Sequence, residues 1–264
     1  MTEALFRPDG ARWIPHALTR GPWSPDAMHG GPVSALLART AETIPTPGPM
    51  QPVRLTIELL RPVPLVPLVA EARVLRPGRK VQWVEARLAA DGSEVARATM
   101  LRIRTADIPW PSRTAGGATA CPFEGPQSAG VVRPPWTTDY PPAYHSTATE
   151  HRIVRGAWGE LGPTTDWIRL RLPVVTGEIP SPLQRVAAVA DFGNGISSAL
   201  PFESHRFINP DLTIALHRLP ATEWVCLDAV TYPEPNGVGG AESVLYDEQG
   251  RIGHAVQTLL LEPW

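Results

Sequence analysis

Leu55-Thr56-Ile57-Glu58-Leu59-Leu60-Arg61 returns late in the chain as Leu212-Thr213-Ile214-Ala215-Leu216-His217-Arg218, identical at five of seven positions with a shift of 212 − 55 = 157 residues. Nothing else in the sequence restricts the fold as much. A solenoid repeats every few tens of residues, so a period this long points to two fused copies of one domain. Apolar residues alternate in both copies, which reads as a strand. A second stretch obeys the same shift: Val95-Ala96-Arg97-Ala98 falls on Ile252-Gly253-His254-Ala255, with one identity and the apolar positions in step. Beyond it the match is partial, Leu101 falling on Thr258 and Ile103 on Leu260.

A chain of 264 residues with 43% apolar content has room for two modest domains, each with a buried core. The formal net charge of −2 gives no basic field of the kind non-specific nucleic-acid binding requires, and no block of like charge reads as an interaction tail. Nucleic acid is therefore excluded as an expected partner. Cys121 and Cys226 are too few for a disulfide framework and lack metal-ligand spacing, so both are expected to be free thiols. No apolar run approaches the roughly 20 residues that span a bilayer, and no signal-peptide pattern opens the chain. A cytoplasmic protein without membrane association is the expectation.

Residues 1–31 carry Trp13, Trp23 and several prolines before Gly30-Gly31-Pro32, where a helix is expected to begin with Pro32 in its first turn. Val33, Leu36, Leu37, Thr40 and Ile44 keep helical spacing, and four prolines between Pro45 and Pro52 end the helix ahead of the Val53–Leu60 strand. Strand-like segments follow at 66–76, 80–90 and 94–104, with turns at Pro77-Gly78 and Asp91-Gly92. Residues 105–142, rich in Pro, Gly, Ser and Thr, read as a linker between copies at 12–104 and 143–262. The second copy is expected to open with strands near 145–155 and 165–172. A helix capped by Ser181-Pro182 follows, then strands at about 211–217, 223–232, 241–247 and 251–261.

Duplicated domains often keep one working site, so positions where the copies differ in polarity are informative. The 157-residue shift pairs Asp191 with Ser34, Asn209 with Pro52, Asp211 with Arg54 and Gln257 with Met100, concentrating hydrogen-bonding groups in the second copy. Gln257 shares a strand face with Ala255, Leu259 and Leu261, so an amide sits among apolar neighbours where it needs partners. A carboxylate and an amide converging from helix and strand can hold and polarise a water molecule. Each residue also has a plain structural reading. Gln257 can face solvent on an edge strand, Asp191 can bond the backbone at the Gly193-Asn194-Gly195 exit, Asn209-Pro210-Asp211 can be a turn, and Thr213, matched by Thr56, can be strand core. His29 reads as an ordinary loop residue ahead of a helix or as a helix-entry ligand contact, and His217 as packing or surface. No nucleophile elbow, Walker loop, dinucleotide fingerprint or zinc-protease motif is present.

The His29-Gly30-Gly31 entry to an Ala/Leu-rich helix, the twice-used Leu-Thr-Ile-x-Leu-x-Arg strand and the Asp191, Asn209-x-Asp211 and Gln257 set together resemble the double hot-dog acyl-CoA thioesterases of the type II group. The resemblance covers nearly all of residues 12–262. It implies an α+β fold in which two tandem hot dogs each wrap a curved antiparallel sheet around a central helix. It also implies a water-activating Asp, Thr and Gln. Asp191 and Gln257 match the first and last; at the Thr position stands Asn209, with Thr213 further along the strand, so either is a candidate for the third role. Hydrolysis of an acyl-CoA or related thioester without cofactor or metal is the activity so implied, with backbone N–H groups at a helix N-terminus serving the oxyanion. The alternative is a non-catalytic acyl-thioester-binding protein on the same fold; a hot-dog hydratase is disfavoured because the Asp-x-Asn-Pro-x-His pattern is missing. Sheet edges left by isolated hot dogs point to a homo-oligomer.

Overall fold

The computed structural model describes residues 3–109, 119–134 and 141–264. Two short strands, β1 (Phe6–Asp9) and β2 (Arg12–Pro15), precede α1 (Gly30–Glu42), the strand β3 (Met50–Leu59) and a meander of β4 (Leu68–Arg76), β5 (Val81–Ala90) and β6 (Ser93–Arg104), whose last strand pairs with β3. The second half contains β7 (Thr149–Arg155), β8 (Thr164–Leu170), α2 (Pro182–Ala190) and the single turn α3 (Gly193–Ile196). Then come β9 (His205–Ile208), β10 (Asp211–Leu216), β11 (Val225–Pro233), β12 (Val238–Asp247) and β13 (Gly250–Pro263). One antiparallel sheet runs in the order β1-β2-β4-β5-β6-β3-β10-β13-β12-β11-β8-β7, with β9 added beside β13.

The strand registers carry the duplication further than the sequence does. Ile57 faces Ala98 and Ile214 faces Ala255; Val84 faces Met100 and Ala241 faces Gln257; Ala70 faces Leu88 and Leu227 faces Leu245. Every member of the second pair lies 157 residues beyond its counterpart, as in 257 − 100 = 157. Even the irregularity after Leu88 in β5 returns after Leu245 in β12, and 245 − 88 = 157. No gap therefore interrupts the repeat across four strands. The two copies of the repeated strand pair with each other, Thr56 directly opposite Thr213, so a local two-fold axis passes between these threonines. The helices also cross at partners of the same spacing: a Cβ on Gly31 would lie 2.4 Å from the Ala188 carbonyl oxygen, and 188 − 31 = 157.

Helix α1 buries Val33, Leu36, Leu37 and Ala41 against β4, β5 and β6, while α2, capped by the Ser181 hydroxyl accepting from the Gln184 N–H at 3.1 Å, buries Val186, Ala187 and Val189 against β8, β10 and β11. Each end of the sheet is touched by another segment of the chain. Leu5 and Phe6 N–H groups donate to Pro173 and Val174 carbonyls at 3.0 and 2.9 Å, and the Val132 N–H donates to His151 across the free side of β7 at 2.9 Å. Leu5 and Phe6, ahead of the expected first boundary, bond to the second half, and part of the expected linker is docked: Cys121 and Phe123 pack on Trp167, Trp224 and Tyr246, and the Trp167 indole donates to the Glu124 carbonyl at 2.8 Å. The remainder of the 105–142 stretch lies partly outside the described residues. No described helix is long and apolar enough to cross a membrane.

Candidate active site

After Ala190 the chain enters Asp191-Phe192-Gly193-Asn194-Gly195, and a Cβ on Gly193 would fall 2.7 Å from the Ser243 hydroxyl and 2.9 Å from Gln257 Oε1, so a larger residue there would displace these side chains of β12 and β13. Asp191 closes the helix as its C-cap and turns its side chain inward, 5% exposed. Its Oδ1 accepts from Asn209 Nδ2 at 2.8 Å and from Gln257 Nε2 at 3.3 Å; the same Gln257 amine also donates to the Asp191 carbonyl at 3.2 Å. Gln257 Oε1 accepts from the Asn194 N–H at 3.1 Å. Gln257, 4% exposed, is therefore fixed at both ends of its amide, as a buried amide must be.

The other carboxylate oxygen belongs to α1. Oδ2 lies 2.9 Å from His29 Nδ1, and the same nitrogen is 3.0 Å from the Gly31 N–H. A single ring nitrogen cannot donate to a carboxylate and accept from an amide at once. The proton belongs on Nδ1, facing Asp191, because a bare lone pair against the carboxylate would be repulsive; the Gly31 N–H, which also reaches Asp191, then has the carboxylate as its acceptor. Burial alone would raise the Asp191 pKa, but the hydrogen bond and charge of His29, then Asn209 and Gly31, outweigh it and hold the carboxyl below the ordinary aspartate range. Phe192 next in sequence is boxed by rings: Tyr144 stacked at 5.5 Å, His29 at 4.7 Å and His151 edge-on at 4.7 Å.

Asp191, His29, Asn194 and Asn209 line a cavity of about 360 Å³ whose walls are otherwise mostly apolar, among them Trp23, Met28, Val33 and Phe207. Gly30 opens onto it too, and as the first residue of α1 its N–H has no helical acceptor four residues back. His145, on the same wall, is pushed down to about 3 by burial and by the neighbouring His29 and His151, so it is neutral at any working pH. A buried anion, a helix N-terminus and an apolar chamber thus meet in one place.

The two halves of this chain match two family models in tandem: the acyl-CoA thioesterase N-terminal domain over residues 19–103 and the acyl-CoA thioesterase C-terminal domain over residues 118–261. The chain belongs to the acyl-CoA thioesterase family. Solved structures show the fold of this family member. A protein of unknown function with a hot-dog fold from Alicyclobacillus acidocaldarius superposes with TM-score 0.72 at 18% identity, covering 97% of this chain and 95% of its own. A structure from Thermobifida fusca provisionally described as a thioesterase II gives 0.71 at 17% identity over 99% and 96%. Acyl-CoA thioesterase II TesB2 from Mycobacterium marinum gives 0.62 at 15% identity over 90% of each chain. At these identities the likeness is one of fold. No curated protein matches the sequence.

Within this thioesterase-family chain, three of the four expected site residues come together: Asp191, Asn209 and Gln257. Thr213 does not join them. Leu212, Ile214 and Leu216 of β10 are buried beneath the helices, so alternation turns Thr213 to the outer face, where its hydroxyl lies 3.4 Å from that of Thr56. Asp211 shares that outer face and accepts from the Thr258 N–H at 2.8 Å. His29, read as a loop residue or a helix-entry contact, is the extended N-cap of α1 and contacts the carboxylate directly; the His-Gly-Gly-Pro entry to α1 was its only signal. Asn194 was legible only as part of a helix exit. In the first copy, Ser34 is buried with its hydroxyl unpartnered and Met100 fills the core, so the equivalent place carries no such polar set.

Proposed function

We propose that the two copies are two hot dogs, with α1 and α2 as the enclosed helices, and that the chain hydrolyses acyl-CoA or a related acyl thioester to the free acid and thiol. The observation that carries this reading is the buried Asp191 carboxylate, kept ionised at the wall of an apolar cavity beside the N-terminus of α1. The acyl group lies in the apolar chamber, and its thioester carbonyl points at the Gly30 N–H, where helix-end donors favour developing negative charge. Asp191 draws a proton of the attacking water toward itself and aims the oxygen at the carbonyl carbon. Asn209 and Gln257 keep the carboxylate from turning, and His29 fixes its second oxygen. The C–S bond breaks as the thiolate leaves, the water supplies its proton, and no acyl-enzyme forms.

Release of thiol from a panel of acyl-CoA thioesters, followed with a thiol reagent, tests the reading. Turnover by the wild type that is lost in Asp191→Asn is the expected result. Tight binding of the same thioesters without thiol release would leave the non-catalytic binding protein in its place.

A further inference from the structure

Arg61 and Arg218 end the two copies of the repeated strand, and 218 − 61 = 157. Their surroundings differ. Arg218 Nη1 bonds Asp247 Oδ2 at 2.6 Å, its Nη2 bonds the other carboxylate oxygen and the Gly250 carbonyl at 2.8 Å, and Asp247 is fully buried. The first-copy counterpart of Asp247 is Ala90, since 247 − 90 = 157, and alanine offers no charge. Arg61 is exposed and, among the described residues, its guanidinium has neither an ion pair nor a hydrogen bond. It nonetheless lines the cavity that contains Asp191. The other guanidinium on that lining, Arg206, is held by Glu262 at 3.1 Å.

The backbone carrying Arg61 is set in place on both sides. Leu59 and Leu60 N–H groups donate to Pro210 and Val95 carbonyls at 2.7 and 3.0 Å, Pro62 follows with its fixed φ, and the Val63 carbonyl accepts from Met28 at 2.8 Å. A guanidinium presented from such a frame, with its partner in the repeat deleted, is equipped to take a carboxylate or phosphate through two parallel hydrogen bonds. Asp191 on the cavity wall repels the same anions, so a ligand's charged end is directed to the rim and its neutral thioester inward.

We propose that Arg61 is an anion anchor at the rim of the cavity, holding an oxyanion carried by the thioester: a phosphate of the thiol half or a carboxylate on the acyl half. This rests on the thioesterase reading. Arg61→Gln and Arg61→Lys are compared with the wild type on butyryl-CoA, butyryl-N-acetylcysteamine and succinyl-N-acetylcysteamine, and CoA binding is followed by tryptophan fluorescence, since Trp23 lines the cavity. Losing a hydrogen-bonded charge partner should raise KM for an anionic substrate on the order of 10-fold in Arg61→Gln, with kcat and the neutral butyryl-N-acetylcysteamine unchanged and part of the loss recovered in Arg61→Lys. An effect on butyryl-CoA and on CoA binding identifies the phosphate; an effect confined to the succinyl thioester identifies the acyl carboxylate. All KM values and the CoA Kd within twofold of wild type, or an equal loss on the neutral thioester, would overturn the proposal. If no thioester releases thiol, the thioesterase reading fails by itself. Binding of CoA and of the succinyl thioester to Arg61→Gln then decides Arg61: tenfold weaker binding of either supports the anchor, and unchanged binding of both removes it.

Discussion

Replacing Asp191 by Asn removes one charge and almost no volume, so its consequences separate chemistry from folding. The new side chain can keep its oxygen toward Asn209 and Gln257, which donate at 2.8 and 3.3 Å, and place its NH2 where Oδ2 met His29 at 2.9 Å. His29 can accept there by moving its proton to Nε2, but the Gly31 N–H then competes for the same lone pair. One buried donor left short costs about 1–3 kcal/mol, partly offset because no charge is buried any longer. At about 2–4 °C per kcal/mol for a chain of this size, the thermal midpoint should fall by less than about 10 °C. Loss of the anion that orients the water should lower turnover about 10²- to 10⁴-fold, or about 2.7–5.4 kcal/mol in the barrier. The assay is steady-state thiol release beside a thermal melt on the same preparation. Turnover within threefold of wild type from a folded variant would refute the assignment of Asp191. The pH dependence gives an independent check. A depressed pKa leaves the carboxylate ionised to below its ordinary value of 3.8, so both its stabilisation and its catalysis persist above that pH and vanish as pH falls through the lowered value. kcat/KM should therefore show no Asp191 limb between pH 4 and 8; a limb centred near 6 that Asp191→Asn abolished would contradict the reasoning.

Asn209→Ala deletes a donor to a charged group, worth about 1.5–3 kcal/mol, and should lower turnover roughly 10- to 100-fold, whereas Thr213→Val on the outer face should leave kcat within twofold; the reverse order would restore Thr213 to the site. Gly31→Ala drives a Cβ to 2.4 Å from the Ala188 oxygen and 2.7 Å from the Tyr144 ring, so differential scanning calorimetry should show a loss of about 1–3 kcal/mol from forcing the helices apart, and an unchanged melt would count against the tight crossing. His151→Leu strands Asp166, fully buried and 2.6 Å from the ring, and should cost about 3–5 kcal/mol in chemical denaturation. Adding Asp166→Leu should recover part of it, because the uncompensated carboxylate is the source of the loss.

Much of this architecture is written in local patterns. The alternation of Leu212, Ile214 and Leu216, the prolines after α1 and the Ser181-Pro182 start of α2 are decided by neighbours a few residues apart, and the recurrence at 157 residues told that the pattern occurs twice. Gln257 was legible for the same reason: strand parity puts it with Leu259 and Leu261, and a buried amide has to find partners. The same parity, applied to Thr213 once Leu212, Ile214 and Leu216 are seen to be buried, turns it to the outer face rather than to the strand core or the site. What no local pattern contains is the meeting of His29 with Asp191, 162 residues apart by 191 − 29, or the freedom of Arg61. The first depends on α1 and α2 crossing close enough for Gly31 to touch Ala188, and the second on an alanine standing where the other copy has Asp247. Side-chain periodicity selects the face a residue presents; which residue waits opposite that face is set by how the two copies pack about their common axis, a long-range outcome that only the folded chain decides.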